Sequence, residues 1–177
     1  MGKIEAPKPA KLVIGLITSD GHLLHQVEDA LAGRYGEVDF ESEVIPFDFT
    51  QYYTPEMGEG LFRRFVTFRP LIPRELLVRI KRETNEIEEQ FAVEGRRRIN
   101  IDPGYICAEH LILATTKGYT HRPYLGEGIH ADLTLIYRDG EFRPLEWTYP
   151  DYASPAIREI MQGIRERYRQ ELKEGAR

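Results

Sequence analysis

The sequence predicts an α+β fold built on a mostly antiparallel sheet, and three observations support this class. Residues 11–17 are almost wholly apolar, as is typical of a central strand covered on both faces. Up to residue 101 the elements follow the order strand, helix, strand, strand, helix, strand of a ferredoxin-like βαββαβ core. The chain beyond that point is typical of hairpins, one of which is closed by the strong turn signal Asp139-Gly140. We expect these C-terminal hairpins to extend the core sheet and the helices to pack on one face.

The first helix is predicted from the residues at its two ends. Ser19 or Asp20 is suited to cap it by accepting hydrogen bonds from its free backbone N–H groups. Gly36 is suited to end it, because glycine tolerates the left-handed conformation that commonly follows a helix. The segments expected next are an extended stretch over residues 38–49, a loop rich in hydroxyls and aromatic rings over residues 48–60, and a strand over residues 61–68.

The second helix is predicted from an apolar stripe with helical spacing. Pro73 suits its first turn, where a missing N–H costs nothing, and Gly95 suits its end. The stripe consists of Leu77, Ile80, Thr84, Ile87 and Phe91. A short strand over residues 98–101 is expected to follow.

The second half is predicted mainly as strands. Asp102-Pro103-Gly104 is expected to form a turn, since Pro fixes φ and Gly allows positive φ. Residues 106–116 fit a strand or a helix by periodicity, and we favour a strand. Further strands are predicted over residues 121–125, 129–138 and 142–147, and a last amphipathic helix from Ser154-Pro155.

Length and composition indicate a single α+β domain over residues 11–177, preceded by a flexible leader over residues 1–10. The apolar runs are too short to cross a membrane, and the N-terminus lacks the apolar stretch of a signal peptide. A single cysteine, Cys107, excludes an internal disulfide framework and fits a reducing cytosol. The net charge of −5 argues against a general nucleic-acid binder. We therefore expect a cytoplasmic protein.

Local motifs of familiar mechanisms are absent from the sequence. It contains no phosphate loop, no G-x-G-x-x-G fingerprint, no G-x-S-x-G elbow and no H-E-x-x-H pair. The sequence therefore specifies no cofactor, and it leaves open whether the protein is an enzyme.

One face of the strand over residues 129–138 is polar. Alternation puts His130, Asp132 and Thr134 on that face, opposite a row of apolar residues expected to face the core. A histidine and a carboxylate two residues apart can bind a divalent metal or act as a base and its orienting group. A solvent-exposed polar face is the alternative. We predict no metal site.

A second polar row comprises Arg98, Asn100 and Asp102. Asp102 is expected where a strand enters a turn, and such positions commonly present functional groups. Alternatively, the side chain of Asp102 bonds its own backbone to stabilise the turn.

The segment over residues 115–124 concentrates cationic and titratable groups. Lys117 offers a compact cation and Arg122 a planar fork, and His121 stands beside them, a combination suited to phosphate or carboxylate. A hairpin edge on which these cations discourage strand pairing is the alternative.

Trp147 and Tyr149 lie in an aromatic stretch around Pro150. Such rings can stack on a planar ligand or wedge the last helix against the sheet. The run Arg96-Arg97-Arg98 is the stretch that would serve RNA binding.

Several motifs of the sequence together resemble those of a family of bacterial and archaeal proteins known only as a domain of unknown function. These motifs are Pro46-Phe-Asp-Phe-Thr-Gln-Tyr-Tyr53, Arg98-Ile-Asn-Ile-Asp-Pro-Gly-Tyr105, Ala114-Thr-Thr-Lys117, His121-Arg-Pro-Tyr-Leu-Gly126, Gly128-Ile-His-Ala-Asp-Leu-Thr-Leu135 and Trp147-Thr-Tyr-Pro-Asp-Tyr152. Members are sometimes labelled GTP-binding, so the resemblance implies a nucleotide-binding protein. The sequence lacks a phosphate loop and the base-recognition motif N/T-K-x-D, so a nucleotide would have to bind by another geometry.

The leading hypothesis is a pocket for a small anionic ligand, such as a nucleotide or a phosphorylated metabolite. The expected ligand-binding residues are Asn100, Lys117, His121, Arg122, Trp147 and Tyr149, and the expected acid–base residues are Asp102, His130 and Asp132. The alternatives are a non-enzymatic protein that associates into a homo-oligomer and, less strongly indicated, an RNA-binding protein.

Overall fold

One nine-stranded sheet, in which every described strand pair is antiparallel, organises the protein. The computed structural model describes residues 2–175, so Met1 of the predicted leader and residues 176–177 of the predicted domain lie outside it. The strands are β1 Ala10–Thr18, β2 Val38–Glu41, β3 Ile45–Pro46, β4 Phe62–Ile72, β5 Ile99–Ile106, β6 His110–Thr115, β7 Tyr124–Gly126, β8 Ile129–Arg138 and β9 Glu141–Pro144. The helices are α1 Gly21–Tyr35, α2 Thr54–Met57, α3 Leu77–Gln90, α4 Pro150–Ala153 and α5 Pro155–Gly175, with a 3₁₀ turn at Arg74–Leu76 before α3.

The strand order is β2-β4-β1-β5-β6-β8-β7, with β3 pairing β4 and β9 pairing β8. Helix α1 joins β1 to β2, which have β4 between them, and α3 follows β4 and leads to β5, across β1. The predicted α+β class with a mostly antiparallel sheet is confirmed. Within residues 2–175, no helix combines the length and the apolar character that crossing a bilayer requires.

Strand β1 is buried along its whole length and separates two cores. On one face Leu12, Ile14 and Leu16 pack with α1 and α3. On the other face Val13 belongs to a cluster that includes Ile157 of α5. The expectation that the helices pack on one face is therefore wrong. Because β1 is apolar on both sides, each face needs its own cover, and α5 supplies the second.

Helix α1 begins and ends as its sequence predicts. The Asp20 carboxylate accepts hydrogen bonds from the backbone N–H groups of His22 and Leu23. Gly36 follows the helix with a φ of 102°, in the region that favours glycine.

The predicted turn at Asp102-Pro103-Gly104 is wrong, because these residues continue β5. They pair with Gly15, Ile14 and Val13 of β1, and this pairing overrides the local turn preference. Gly104 serves close approach instead, since a Cβ on it would lie 2.4 Å from the Ile112 carbonyl oxygen. The favoured strand within residues 106–116 is present as β6.

The predicted alternation along β8 breaks before its end. Ile129 and Leu133 pack on the α3 side of the sheet, as expected for a core row. Leu135 instead joins the α5-side cluster with Leu111. The cause is a shift in the β6–β8 register between Leu111 and Ile112, which turns the following side chains to the opposite face.

A buried ion cluster ties helix α5 to strands β1 and β2. Lys11 is 0% exposed, and its Nζ lies 2.5 Å from Asp39 Oδ2 in β2 and 2.8 Å from Glu171 Oε1 in α5. Tyr168 of α5 adds a hydrogen bond from its hydroxyl to the Pro9 carbonyl oxygen. Helix α5 is therefore fixed to β1 by polar contacts as well as by its apolar stripe.

We expect Lys11→Ala to lower the free energy of unfolding by about 3–5 kcal/mol, because it leaves a buried carboxylate without its cation. Denaturant unfolding would measure this. Arg69→Ala is the control, since it removes an ion pair with Glu37 in which both side chains are exposed, and we expect little change. Equal stability of the two variants would contradict the structural role of Lys11.

Candidate functional site

A cavity of about 1040 Å³ lies where the sheet opens between β5 and β6. Its walls come from the loop before α2, from α3, from the ends of β5 and β6, and from the segment leading into α4. It therefore reaches both faces of the sheet, and its lining mixes aromatic rings with charged groups.

The opening in the sheet has a definite cause at β5. Strands β5 and β6 pair only from Gly104 to Ile106. Further toward the start of β5, Ile101 N–H donates to Glu88 Oε1 at 2.5 Å, and the Ile101 carbonyl accepts from Lys81 Nζ at 3.0 Å. Pro103, two residues on, would present its amide at the same edge and has none to donate. Side chains of α3 thus satisfy the backbone that β6 leaves unpaired.

Six of the nine predicted site residues line this cavity. They are Asn100, Asp102, Lys117, Arg122, Asp132 and Tyr149. The other three, which are His121, His130 and Trp147, are not among its lining residues. The structure thus brings together residues that are up to 49 positions apart, from Asn100 to Tyr149.

Asp102 projects into the cavity from β5 and accepts contacts from several elements. Asn100 Nδ2 donates to its Oδ2 at 2.7 Å, while Lys81 Nζ and Arg63 Nη2 lie 3.8 Å and 3.9 Å away. In a turn, the Asp102 side chain would accept a hydrogen bond from its own stretch of backbone. The hydrogen bond described for it comes instead from the side chain of Asn100. Two cations, one from α3 and one from β4, thus face this carboxylate.

Arg63 of β4 is 3% exposed and lies in the cavity wall beneath aromatic rings. Its Nη1 donates to Asp151, and its guanidinium carbon lies 4.8 Å from the ring centre of Phe47 and 5.0 Å from that of Tyr152. A guanidinium suits this position, because it is less strongly hydrated than an ammonium and stacks on rings.

Glu88 of α3 is 7% exposed and lines the same cavity. Burial raises the pKa of its carboxyl to about 7, although Lys81 and the Ile101 N–H act in the opposite direction. Arg97 Nη1 lies 3.8 Å from Glu88 Oε2 but donates to Asn100 Oδ1 at 3.0 Å, and Arg97 Nη2 donates to Glu56 at 2.7 Å. Glu88 can therefore gain or lose a proton near neutral pH.

Asp132 of β8 is 3% exposed and holds Arg122 in place. Arg122 Nε donates to Asp132 at 2.8 Å, and its Nη2 donates to the Tyr149 hydroxyl at 2.7 Å. The histidine nearest Asp132 in its described contacts is His121, at 3.5 Å. His130, which the sequence pattern pairs with Asp132, packs against the Tyr124 ring instead.

Trp147 stacks on His121 and not on the open cavity. The ring centres are 5.0 Å apart with an interplanar angle of 13°, and Trp147 Nε1 donates to the Leu133 carbonyl. The Trp147 ring therefore contacts His121 and the backbone of β8.

The mouth of the cavity carries Lys117 and two exposed tyrosines. Lys117 Nζ lies 3.0 Å from the Tyr52 hydroxyl, and this contact lowers the pKa of Tyr52. Tyr149 lies on the Arg122 side of the mouth. Each exposed ring is therefore beside a cation.

A cluster with the spacing of metal ligands lies elsewhere. Within residues 2–175, the group with donor atoms within 4.8 Å of one another is Cys107, Glu109 and His110, at the β5–β6 turn. Burial raises the pKa of the Cys107 thiol, and Arg74 Nη2 lies 3.9 Å from Glu109. A neutral thiol and a neighbouring cation are poor conditions for holding a metal ion.

Sequence reasoning missed Arg63, Glu88 and Tyr152. A weak signal existed for Arg63, which shares the inward row of an apolar strand with Phe65. For Glu88, the signal is its spacing of seven from Lys81, which puts both on one side of α3 beside the apolar stripe.

Comparison with known proteins gives one match. The family described as Domain of unknown function (DUF4416) matches residues 8–168. Among curated proteins and among solved structures, no significant match is found.

The pKa of Glu88 predicts a pH dependence of stability. The carboxyl has an ordinary pKa of 4.5 and a folded-state pKa of about 7, so between these values the unfolded chain binds fewer protons. Stability from this group therefore falls as pH rises from about 4.5 to about 7, by up to about 3 kcal/mol. We expect Glu88→Gln to flatten this part of the stability curve, measured by denaturant unfolding at several pH values.

Glu89→Gln is the matched control, because Glu89 is the neighbouring, exposed carboxylate of α3. It should leave the slope unchanged. Parallel curves for wild type and Glu88→Gln would show that the Glu88 carboxyl titrates in its ordinary range.

Proposed function

We propose that this chain, which belongs to the DUF4416 family of unknown function, binds a small anionic ligand such as a nucleotide or a phosphorylated metabolite in the cavity. The observation that supports this most directly is the charge of Lys117 at the mouth of the cavity, which is unpaired within the described part of the chain. Among the ion pairs described for residues 2–175, Lys117 has no carboxylate partner, and its contact at the mouth is the Tyr52 hydroxyl. An anion would find a cation there that no internal charge already neutralises.

Arg122 is the second cation of this anion site. Its Nε donates a hydrogen bond to Asp132, and its Nη2 donates one to the Tyr149 hydroxyl. Its Nη1 makes a longer hydrogen bond of 3.3 Å to the Lys117 carbonyl oxygen. The first two bonds fix the plane of the guanidinium, and Nη1 is the donor best able to exchange its partner for a ligand oxygen. A fixed fork beside a flexible ammonium is a favourable arrangement for phosphate.

The size and lining of the cavity suit a ligand that also carries a ring. Its volume of about 1040 Å³ is at the upper end of ligand pockets, which span roughly 300–1,000 Å³. Tyr52 and Tyr149 provide exposed flat surfaces beside the two cations, so that a base or a sugar can stack where its phosphate is held.

Carboxylates lining the same cavity would carry any acid–base chemistry on the ligand. Asp102 and Asp132 each lie beside an arginine and offer carboxylate oxygens that can accept a proton. Glu88, with a pKa of about 7, is the group suited to donate a proton. The proposed enzymatic role therefore rests on these three groups.

Association of identical chains is a second candidate function. The short strand β7 lies at the edge of the sheet, its residues Tyr124 and Leu125 are exposed, and so is Tyr119 before it in the chain. Light scattering across a range of concentrations tests this, and a monomer at all of them contradicts it. RNA binding gains no such support, because Arg97 and Arg98 are held in ion pairs with Glu56 and Asp20.

We expect GTP, ATP or inorganic phosphate to raise the melting temperature of the wild-type protein, because a ligand of the folded state stabilises it. Lys117→Met should weaken the binding of each stabilising probe about 10- to 100-fold, since a charge-assisted hydrogen bond contributes about 1.5–3 kcal/mol. Thermal shift over a titration of each probe measures both effects.

Lys173→Met is the matched control, because Lys173 is an exposed lysine of α5 that does not line the cavity. It should bind each probe as the wild type does. If Lys117→Met also retains full affinity, or if no phosphate-bearing probe stabilises the wild type, the proposed anion site is wrong.

A further inference from the structure

We infer that the inner end of the cavity is a second subsite, in which Tyr152 and Arg63 donate hydrogen bonds to an uncharged carbonyl oxygen of the ligand. This inference rests on the proposed function, because the same ligand would place its anionic group at Lys117 and Arg122. It defines the ligand as a phosphate-bearing molecule with a carbonyl group at its other end.

Two buried donors without partners carry the inference. Tyr152 is 2% exposed and Arg63 3%, and both line the cavity. Neither the Tyr152 hydroxyl nor Arg63 Nε has a hydrogen-bond partner within the described part of the chain. Buried polar groups are normally paired, because an unsatisfied donor loses its hydration without compensation. Two such donors in one wall indicate a place where a ligand oxygen completes the bonding.

The two donors belong to one small region. The guanidinium carbon of Arg63 lies 5.0 Å from the ring centre of Tyr152. The Tyr152 hydroxyl lies over Gly15, where a Cβ would be 3.3 Å from it, and Gly15 pairs with Asp102 of the cavity wall. A side chain at Gly15 would crowd this hydroxyl, so a glycine fits beneath it.

The local charges favour a neutral acceptor over a second anion. Arg63 already faces two carboxylates, since its Nη1 binds Asp151 and its Nη2 lies 3.9 Å from Asp102. A ligand carboxylate would meet both of them at close range, and like charges in a buried site repel strongly. Burial also raises the pKa of Tyr152, so its hydroxyl keeps the proton that it would donate.

Two pairs of probes isolate the carbonyl group. Dihydroxyacetone phosphate and glycerol 3-phosphate differ in a ketone against an alcohol, and inosine monophosphate and adenosine monophosphate differ in a ring carbonyl against an amine. In at least one pair we expect the carbonyl member to bind the wild type about three- to tenfold more tightly, the contribution of one or two hydrogen bonds. Tyr152→Phe should reduce this preference, because only the Arg63 donor remains, while retaining the binding of the other member.

A stability measurement keeps the test independent of the choice of probe. Tyr152→Phe removes a hydroxyl that has no described partner, so the melting temperature without ligand should not fall. Tyr168→Phe is the matched control, because the buried Tyr168 hydroxyl donates to the Pro9 carbonyl at 2.9 Å. Its loss should lower the melting temperature by about 2–4 °C.

The outcomes separate this inference from the proposed function. If no phosphate-bearing probe binds the wild type, the proposed function fails and this inference fails with it. If such probes bind and depend on Lys117, but neither pair shows a carbonyl preference or Tyr152→Phe retains it in full, the inner subsite alone is wrong. A fall in melting temperature for Tyr152→Phe equal to that for Tyr168→Phe would also overturn it.

Discussion

The hydrogen bonding of Ile101 determines the shape of the site. A buried strand has to satisfy its backbone groups, and at Ile101 this is done by Glu88 and Lys81 of α3, where a neighbouring strand would ordinarily do so. Side chains of α3 therefore occupy the edge of β5 at which β6 would pair. On the N-terminal side of Gly104, β5 and β6 separate, and a cavity forms between them. The same two side chains then serve as part of its wall, so the construction of the fold and the polarity of the cavity have a single origin.

Among the described residues, each cation that lines the cavity lies beside a carboxylate, with one exception. Arg63 faces Asp151 and Asp102, and Arg122 faces Asp132. These pairs allow charged side chains to remain in a wall that is largely buried. Lys117, at the mouth, is the exception, because its described contact is a tyrosine hydroxyl and not a carboxylate. A negatively charged group that entered the cavity would meet this cation first.

The sequence predicted best those features that depend on neighbours along the chain. The Asp20 cap, the apolar stripe of α3 and the Asp139-Gly140 hairpin are confirmed, because each is decided within a few residues. Features decided by distant pairing were missed. Asp102-Pro103-Gly104 has the composition of a turn, yet β1 draws it into a strand, and a shift in the β6–β8 register moves Leu135 to the other face. For the candidate site, Lys117 and Arg122 were predicted from their clustering, whereas Arg63, Glu88 and Tyr152 have meaning only once the sheet has opened between β5 and β6.

The stacking of His121 on Trp147 provides the protein with an optical reporter. Trp147 is the single tryptophan of the chain, and its ring lies parallel to an imidazole that is 3.5 Å from the carboxylate holding Arg122. An event at Arg122 therefore changes the electrostatic surroundings of the indole through two contacts. The emission of Trp147 should follow such a change without any added label.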